Sequence, residues 1–325
     1  MTSVYDVFSG PPTRSIQDMC IYSNRVKDST LQLTNIAHGE MLDLGCGKFG
    51  DMWKIIHANV KRYVGIDIDE SFVKEGLKRW DKESPKHPNL NVSLLSPLAM
   101  QDTKGIELAI NALPRKPGPS VQSSNPFDLV SAFFSIHFAF QHPTEFKRLC
   151  QTIDLFCHRQ TGQFLCTFMD GEDVLSWFKE QGTTRISSPR SFDLTLQTSS
   201  LSTSSIPHVF GIPLQVWLNA KTVPPHTEYL VFLPLLIQGL NDIGFELVTC
   251  RSFVDPSILK PLKNLTTYIE PNEFKFLTCH KYALFQRKKE AFTISSSIAI
   301  KRNREETDIS ICNQTSDEMK KKKGE

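Results

Sequence analysis

The densest chemistry in the chain lies in Met41-Leu42-Asp43-Leu44-Gly45-Cys46-Gly47-Lys48-Phe49-Gly50-Asp51. A short apolar run carries an acid, three glycines follow within six positions, and Met52, Ile55 and Ile56 then recur at helical spacing. Strand, glycine turn and helix start together form a cradle. Glycines have no Cβ, so a ligand can approach the backbone, and a helix start points N–H groups at it. Asp67 sits near the end of the next apolar run, Tyr63 to Ile68, where a carboxylate accepts two hydrogen bonds from a ribose diol. The spacing D-L-G-C-G-K-F-G-D is not the G-x-G-x-x-G of dinucleotide binders. Asp43 at its head suits a ligand with a cationic amino-acid part, and S-adenosylmethionine (SAM) carries both an ammonium and a sulfonium. The competing reading is a glycine-rich turn that holds nothing; the agreement of loop, strand and second acid argues against it.

These residues need a scaffold. Glu40–Leu44, Tyr63–Ile68, Asn91–Leu95, Phe127–Phe134 and Gly162–Phe168 read as strands. Asp51–Ala58, Ser71–Trp80 and Pro143–Phe156 read as the helices between them, and imperfect helical spacing precedes them at Ile16, Met19, Cys20 and Val26. Alternating strands and helices predict an α/β fold: a doubly wound, Rossmann-like, mostly parallel sheet with helices on both faces. Ligands then sit beyond the carboxyl ends of the strands. Residues 111–125 are rich in Pro, Gly and Ser and read as a loop. The Ser/Thr-rich stretch 182–207 reads as irregular chain or edge strands. Val216–Leu218 and Tyr229–Phe232 follow, then a helix near Leu235–Ile243 closed by Gly244. Phe245–Thr249 and Tyr282–Gln286 are the closing strands. The expected organisation is a helical lead-in over 1–37, a catalytic-type domain over 38–290 with a substrate-side insertion at 182–226, and a disordered polar tail over 291–325 ending in Lys320–Lys323.

Apolar residues at 40% and charged residues at 22% are ordinary globular usage, so a core of normal size is expected. A net charge of +2 excludes bulk polyanion binding; any nucleic-acid contact must be a local patch. None of the eight cysteines forms a C-x-x-C pair or a zinc-spaced Cys/His set, so no metal is expected. Scattered cysteines without a secretory signal suggest a reducing compartment. The longest apolar run, Tyr229–Leu236, is too short to span a bilayer, so no membrane partner is expected.

LDLGCGKxGD followed by YVGIDI resembles the mRNA cap guanine-N7 methyltransferases, a branch of the SAM-dependent methyltransferases. The likeness continues along most of the chain. Asn24-x-x-Lys27 resembles the family's N-N-x-x-K segment, and Phe134-Ser135-Ile136-His137-Phe138-Ala139-Phe140 its F-x-x-H-Y-x-F. Pro225-His226-Thr227-Glu228-Tyr229 resembles its P-x-x-E-[YF], and Lys281–Phe285 its last strand. Phe168–Gly171 and Thr227–Tyr229 are similar to the viral branch. The resemblance implies methyl transfer from SAM to N7 of the guanosine that caps an RNA 5′ end, without an acid/base residue. It implies SAM contacts at Lys27, Asp43, Gly45, Gly47, Asp67, Ile68 and Phe134, and cap contacts at Asn24, His137, Glu228 and Tyr282. Capped RNA is the implied substrate, with capping-enzyme or RNA polymerase partners. The nucleus is the implied location, or the cytoplasm for a viral enzyme. Lys48, Lys54, Lys61 and Arg62 are candidates for the cap triphosphate, or equally a solvated helix face.

Taken alone, His137 in an apolar run reads as a core histidine, Glu228 and Lys27 as surface charges, and Tyr282 as a strand residue. The sequence also departs from the family. Phe49 replaces a loop glycine, so its side chain is expected to pack outward or to narrow the SAM methionine end, while Gly45, Gly47 and Gly50 keep the glycine requirement. No aspartate follows the third strand, where Leu95-Ser96-Pro97 stands and the next carboxylate is Asp102. Two other readings remain open: a methyltransferase-fold subunit that binds capped RNA or a partner without catalysis, and a SAM-dependent enzyme with another substrate.

Overall fold

The computed structural model describes residues 14–113, 127–189, 191–197, 209–219, 225–255, 257 and 270–288. The basic tail beyond 291 and most of the Pro/Gly/Ser loop at 111–125 lie outside the described residues.

Seven strands form the main sheet: β1 (Glu40–Leu44), β2 (Arg62–Ile66), β3 (Asn91–Leu95), β4 (Leu129–Phe133), β5 (Gln163–Met169), β10 (Phe245–Ser252) and β11 (His280–Arg287). Their spatial order is β10-β11-β5-β4-β1-β2-β3. The pairs from β5 to β3 are parallel, while β11 is antiparallel to both β5 and β10. Strand order reverses between β1 and β4, the place where doubly wound sheets open a crevice at their carboxyl ends. β4 and β5 are buried along their whole length, as strands covered on both faces must be.

The covering helices are α2 (Met52–His57) and α3 (Glu70–Glu83) on one face, and α4 (Thr103–Asn111), α5 (Pro143–Phe156) and α7 (Leu233–Asp242) on the other. A third apolar cluster joins α1 (Arg14–Leu31), α6 (Gly171–Gln181) and α8 (Pro271–Cys279) to a small antiparallel sheet. That sheet runs β6 (Arg185–Ser188), β7 (Phe192–Leu196), β8 (Pro213–Leu218), β9 (His226–Tyr229) in order. The stretch expected to be irregular or edge-like thus supplies β6 and β7 of a second sheet. Buried Ile186, Phe192, Leu194, Leu214 and Val216 provide its packed face. Tyr229, the first residue of the apolar run to Phe232, ends β9, and the rest of the run leads into α7. Gly244 closes α7 at φ +83°, as expected of a C-terminal glycine. Helices α4, α6 and α8 were not expected. Asp102 and Asp170 cap the first two, and a reciprocal Glu270/Glu273 capping box starts the third.

Phe49 departs from expectation in an informative way. Its φ is +54°, so the position does require the left-handed conformation that glycine adopts freely. The ring points neither outward nor at a ligand. It is 1% exposed, 4.8 Å from the Tyr63 ring and 6.3 Å from Trp80, in the core under α3. The backbone conformation costs about 1–2 kcal/mol, and burying the ring returns about 2–3 kcal/mol, so burial wins. Gly50 has no positive φ and a Cβ there would meet nothing within 4 Å, so it carries no glycine requirement. Phe49→Ala keeps the backbone strain and loses the ring. It should destabilise the fold by about 3–5 kcal/mol in urea unfolding; a loss under about 1 kcal/mol would mean that the ring does not anchor the loop.

Candidate functional site

The loop after β1 is held by close approach and by charge. Gly45 has φ +86°, and a Cβ there would lie 2.6 Å from Ser135 Cβ, so no other residue fits. Ser135 Oγ donates to Leu44 O at 2.6 Å, which draws the chain after β4 against the loop. At Gly47 (φ +54°) a Cβ would meet nothing within 4 Å, so this backbone faces open space. The Gly47 N–H donates to Asp67 Oδ2 at 2.7 Å, and the Asp69 N–H to Oδ1 at 2.9 Å. Each carboxylate oxygen keeps a lone pair for a diol. Ile68, beside it, is 68% exposed, an apolar surface placed next to the acid where a flat base can cover it.

Two carboxylates lie beneath, Asp43 buried and Asp51 half-buried. Asp43 is 2% exposed and accepts from Tyr63 Oη at 2.7 Å and Ser131 Oγ at 2.5 Å. Burial pushes its carboxyl up to about 6, against the pull of those two donors. Asp51 Oδ1 lies 2.6 Å from Lys27 Nζ and 2.7 Å from Lys54 Nζ. Burial would raise the Asp51 carboxyl, but the two lysines outweigh it and hold it below the usual range. Lys27 reaches this position from α1, with its Nζ 5.3 Å from the Phe134 ring centre. Asn24 is exposed on α1, one turn before it.

Phe134-Ser135-Ile136-His137 links this cradle to a second polar cluster. Phe134 has φ +52° and turns its ring edge-on to His280 (5.5 Å) and Phe253 (5.7 Å). His137 is 5% exposed, with Nδ1 3.5 Å from Glu228 Oε2. Glu228, on β9, has Oε1 2.9 Å from His226 Nε2. Burial would raise the Glu228 carboxyl; His137 and His226, with His280 beyond them, outweigh it and hold it below the usual range. Burial keeps His137 below its usual value and pushes His280 down to about 4. The cluster is therefore an ionised carboxylate beside two histidines that burial keeps neutral. His137 Nε2 is buried without a hydrogen-bond partner among the described residues, a cost of about 1–3 kcal/mol that a ligand can relieve.

This geometry agrees with the comparisons. The family described as the mRNA (guanine-N(7))-methyltransferase domain matches residues 16–302, most of the chain. The chain belongs to this family. The mRNA cap guanine-N(7) methyltransferase of Saccharomyces cerevisiae is 23% identical over 237 residues, 71% of this chain and 51% of that protein. A probable mRNA-capping enzyme of Acanthamoeba polyphaga mimivirus is 25% identical over 264 residues, 74% of this chain and 22% of that one. The chain spans about half the length of the first curated relatives it matches. A solved SAM-dependent methyltransferase from Clostridium acetobutylicum has a TM-score of 0.50 at 8% identity, over 82% of this chain and 92% of that one, and shows the fold.

Within the guanine-N7 methyltransferase frame, several expected residues take other positions. β11 runs antiparallel to β5 with His280 opposite Met169 and Tyr282 opposite Thr167. His280 is therefore at the carboxyl end of β5, while Tyr282 lies two residues deeper, 2% exposed, with its hydroxyl acted on by Arg251, Asp255 and Thr249. His280, at that carboxyl end, is among the groups that act on Glu228. Reading β11 by sequence left the register, and so the depth, open. Lys48 pairs with Glu75 at 2.8 Å, Lys54 with Asp51, and Arg62 with Glu40 at 2.6 Å. Arg62 opens β2, at the opposite end of the sheet from the cradle, and Lys61 precedes it, so neither suits a triphosphate there. Asp102 caps α4 by accepting from the Gly105 N–H at 3.1 Å. His226 and Asp51 were missed as site residues; G-K-F-G-D contained the signal for Asp51, and His226 stands in Pro225–Tyr229 at a position that P-x-x-E-[YF] leaves open.

His137, His226 and Glu228 have donor atoms within 4.8 Å of one another, a spacing that a divalent ion could use. The 2.9 Å His226–Glu228 contact is already a charge-assisted hydrogen bond, which accounts for the cluster without an ion. No helix among the described residues is long and apolar enough to cross a membrane.

Lys27→Met should leave Asp51 with one cation and cost about 3 kcal/mol at pH 7. Asp51 is depressed in the fold, so its contribution is present above the unfolded carboxylate value near ~4 and lost as pH falls through the folded one. The gap between Lys27→Met and wild type in urea unfolding should therefore narrow on acidification below about pH 4. A gap that is the same at both ends of that range would show that the ion pair is not its source.

Proposed function

We propose that the chain methylates N7 of the guanosine that caps RNA 5′ ends, with SAM as methyl donor. One observation carries the reading: a four-residue link, Phe134–His137, joins an adenosine-type cradle to a half-buried, ionised Glu228. The cradle fits SAM by the chemistry of its donors. Asp67 keeps lone pairs for the ribose, Gly47 leaves its backbone open, and Lys27 has a third N–H to offer a carboxylate that it would share with Asp51. SAM supplies an electrophilic methyl on a sulfonium.

Guanine N7 holds an unprotonated lone pair at neutral pH, so no general base is needed. The lone pair forms the new N–C bond while the C–S bond breaks, its electrons passing to sulfur. The positive charge moves from sulfur to the purine. Rate enhancement must then come from positioning and from charge placement. Ionised Glu228 can accept from guanine N1–H and N2–H₂, a pattern that adenine does not offer, and its charge also favours the developing methylguanine cation. Phe138, 44% exposed and 4.2 Å from the His137 ring, can flank the purine. The proposal includes capped RNA with capping-enzyme or polymerase partners, and a nuclear site of action as the resemblance implies, or a cytoplasmic one for a viral enzyme.

Labelled SAM incubated with GpppA-capped RNA should yield N7-methylguanine. Glu228→Ala should lower kcat/KM about 100-fold, the loss of about two hydrogen bonds to a charged group. SAM binding with no product would favour another substrate or a missing partner; no SAM binding would favour a fold kept for binding alone. Asp67→Ala should raise KM for SAM about tenfold and leave that for capped RNA near wild type. His280→Ala should raise KM for capped RNA, whereas Tyr282→Phe should change it less than about twofold, within the scatter expected of a residue off the substrate. The reverse ranking would return Tyr282 to the site.

A further inference from the structure

Glu228 is faced from three elements: His226 on its own strand β9, His137 on the turn after β4, and His280 at the start of β11. His226 makes the shortest of the contacts, with Nε2 2.9 Å from Oε1. It lies two residues before Glu228, on the same side of β9 by strand alternation. Its side chain is 25% exposed, at the rim of the cluster, with the Phe138 ring 6.2 Å away and the His137 ring also 6.2 Å away. An ionised carboxylate only accepts, so the His226 nitrogen that meets Oε1 must carry the proton.

A carboxylate that reads a base edge must present both oxygens in one plane at one angle, and a lone glutamate side chain loses rotamer freedom to do so. We propose that His226 is a positioning residue for base recognition, its Nε2–H holding Oε1 of Glu228 so that the carboxylate meets the guanine edge already oriented and charged. The inference rests on the cap-methylation reading and adds His226, an open position of the P-x-x-E-[YF] segment to which the resemblance gives no role. Two consequences separate it from a structural role. First, the effect falls on capped RNA and not on SAM, because His226 stands on β9 of the small sheet beside Glu228, whereas the glycine loop and Asp67 follow β1 and β2 of the large one. Second, removing the N–H leaves burial less opposed at Glu228, so the carboxyl protonates at higher pH and recognition fails earlier on acidification.

The test uses the full chain as wild type, His226→Ala and His226→Gln, the last offering an amide N–H in place of the imidazole N–H. KM and kcat for GpppA-capped RNA and for SAM are measured from pH 5 to 8, with equilibrium binding of GpppA and a melting curve for each protein. His226→Ala should raise KM for capped RNA about tenfold with kcat within about twofold. It should leave KM for SAM unchanged and move the acid limb of kcat/KM to higher pH. His226→Gln should recover most of the loss. An unchanged KM, an unmoved acid limb, or a joint loss of SAM and RNA affinity with a lowered melting temperature would overturn the proposal. Wild type that binds GpppA without turnover would sink the enzyme reading while leaving His226 to be judged by the binding ratio. Wild type that binds no GpppA would overturn both.

Discussion

Buried negative charge at the carboxyl end of β1 is the constraint on which the rest of the site depends. Asp43 lies in the centre of the sheet, and its two oxygens are met by Tyr63 of β2 and Ser131 of β4, the strands on either side. Without those donors the carboxyl would stand in an apolar core at a cost of several kcal/mol. Asp51, a turn later, has the same problem and a different solution, two lysine ammoniums. One of them comes from α1, which precedes the sheet in sequence. The first helix is therefore tied to the sheet end by charge, and at its other face by Tyr22 Oη donating to Phe253 O at 2.7 Å.

That arrangement explains why the loop is both rigid and open. Asp67 clasps the tip through the Gly47 N–H, Ser135 presses on Gly45, and Phe49 anchors the far side in the core. The loop can thus be fixed before any ligand arrives, so less conformational entropy is lost on binding.

Much of this was legible in the chain because local pattern and tertiary position coincide there. Apolar runs ending in Gly or Asp marked β1 and β2, and the alternation of strands and helices gave the doubly wound sheet. Reading failed where meaning arises only by convergence. Ile186, Phe192 and Leu194 lie in a Ser/Thr-rich stretch and read as a packed face only when α1 and α6 cover them. Lys54 and Arg62 resemble a solvated basic face until Asp51 and Glu40 are seen beside them. His280 and Tyr282 are indistinguishable as strand aromatics until the β5–β11 register sets their depth. Positive φ at Phe49 is not announced by the residue itself; only the glycine that the resembling family keeps at that place pointed to it.

The methyl-donor cradle is built by the large sheet, whereas Glu228 and His226 stand on β9, the edge strand of the small one. The two sheets meet just beyond, where Val231 bridges Asp170 and accepts from the Gly171 N–H at 2.8 Å. Heredity can therefore act on the two halves separately. On the proposed function, changes in β8 and β9 bear on base recognition, while the loop after β1 keeps its own supports from Asp67 and Ser135.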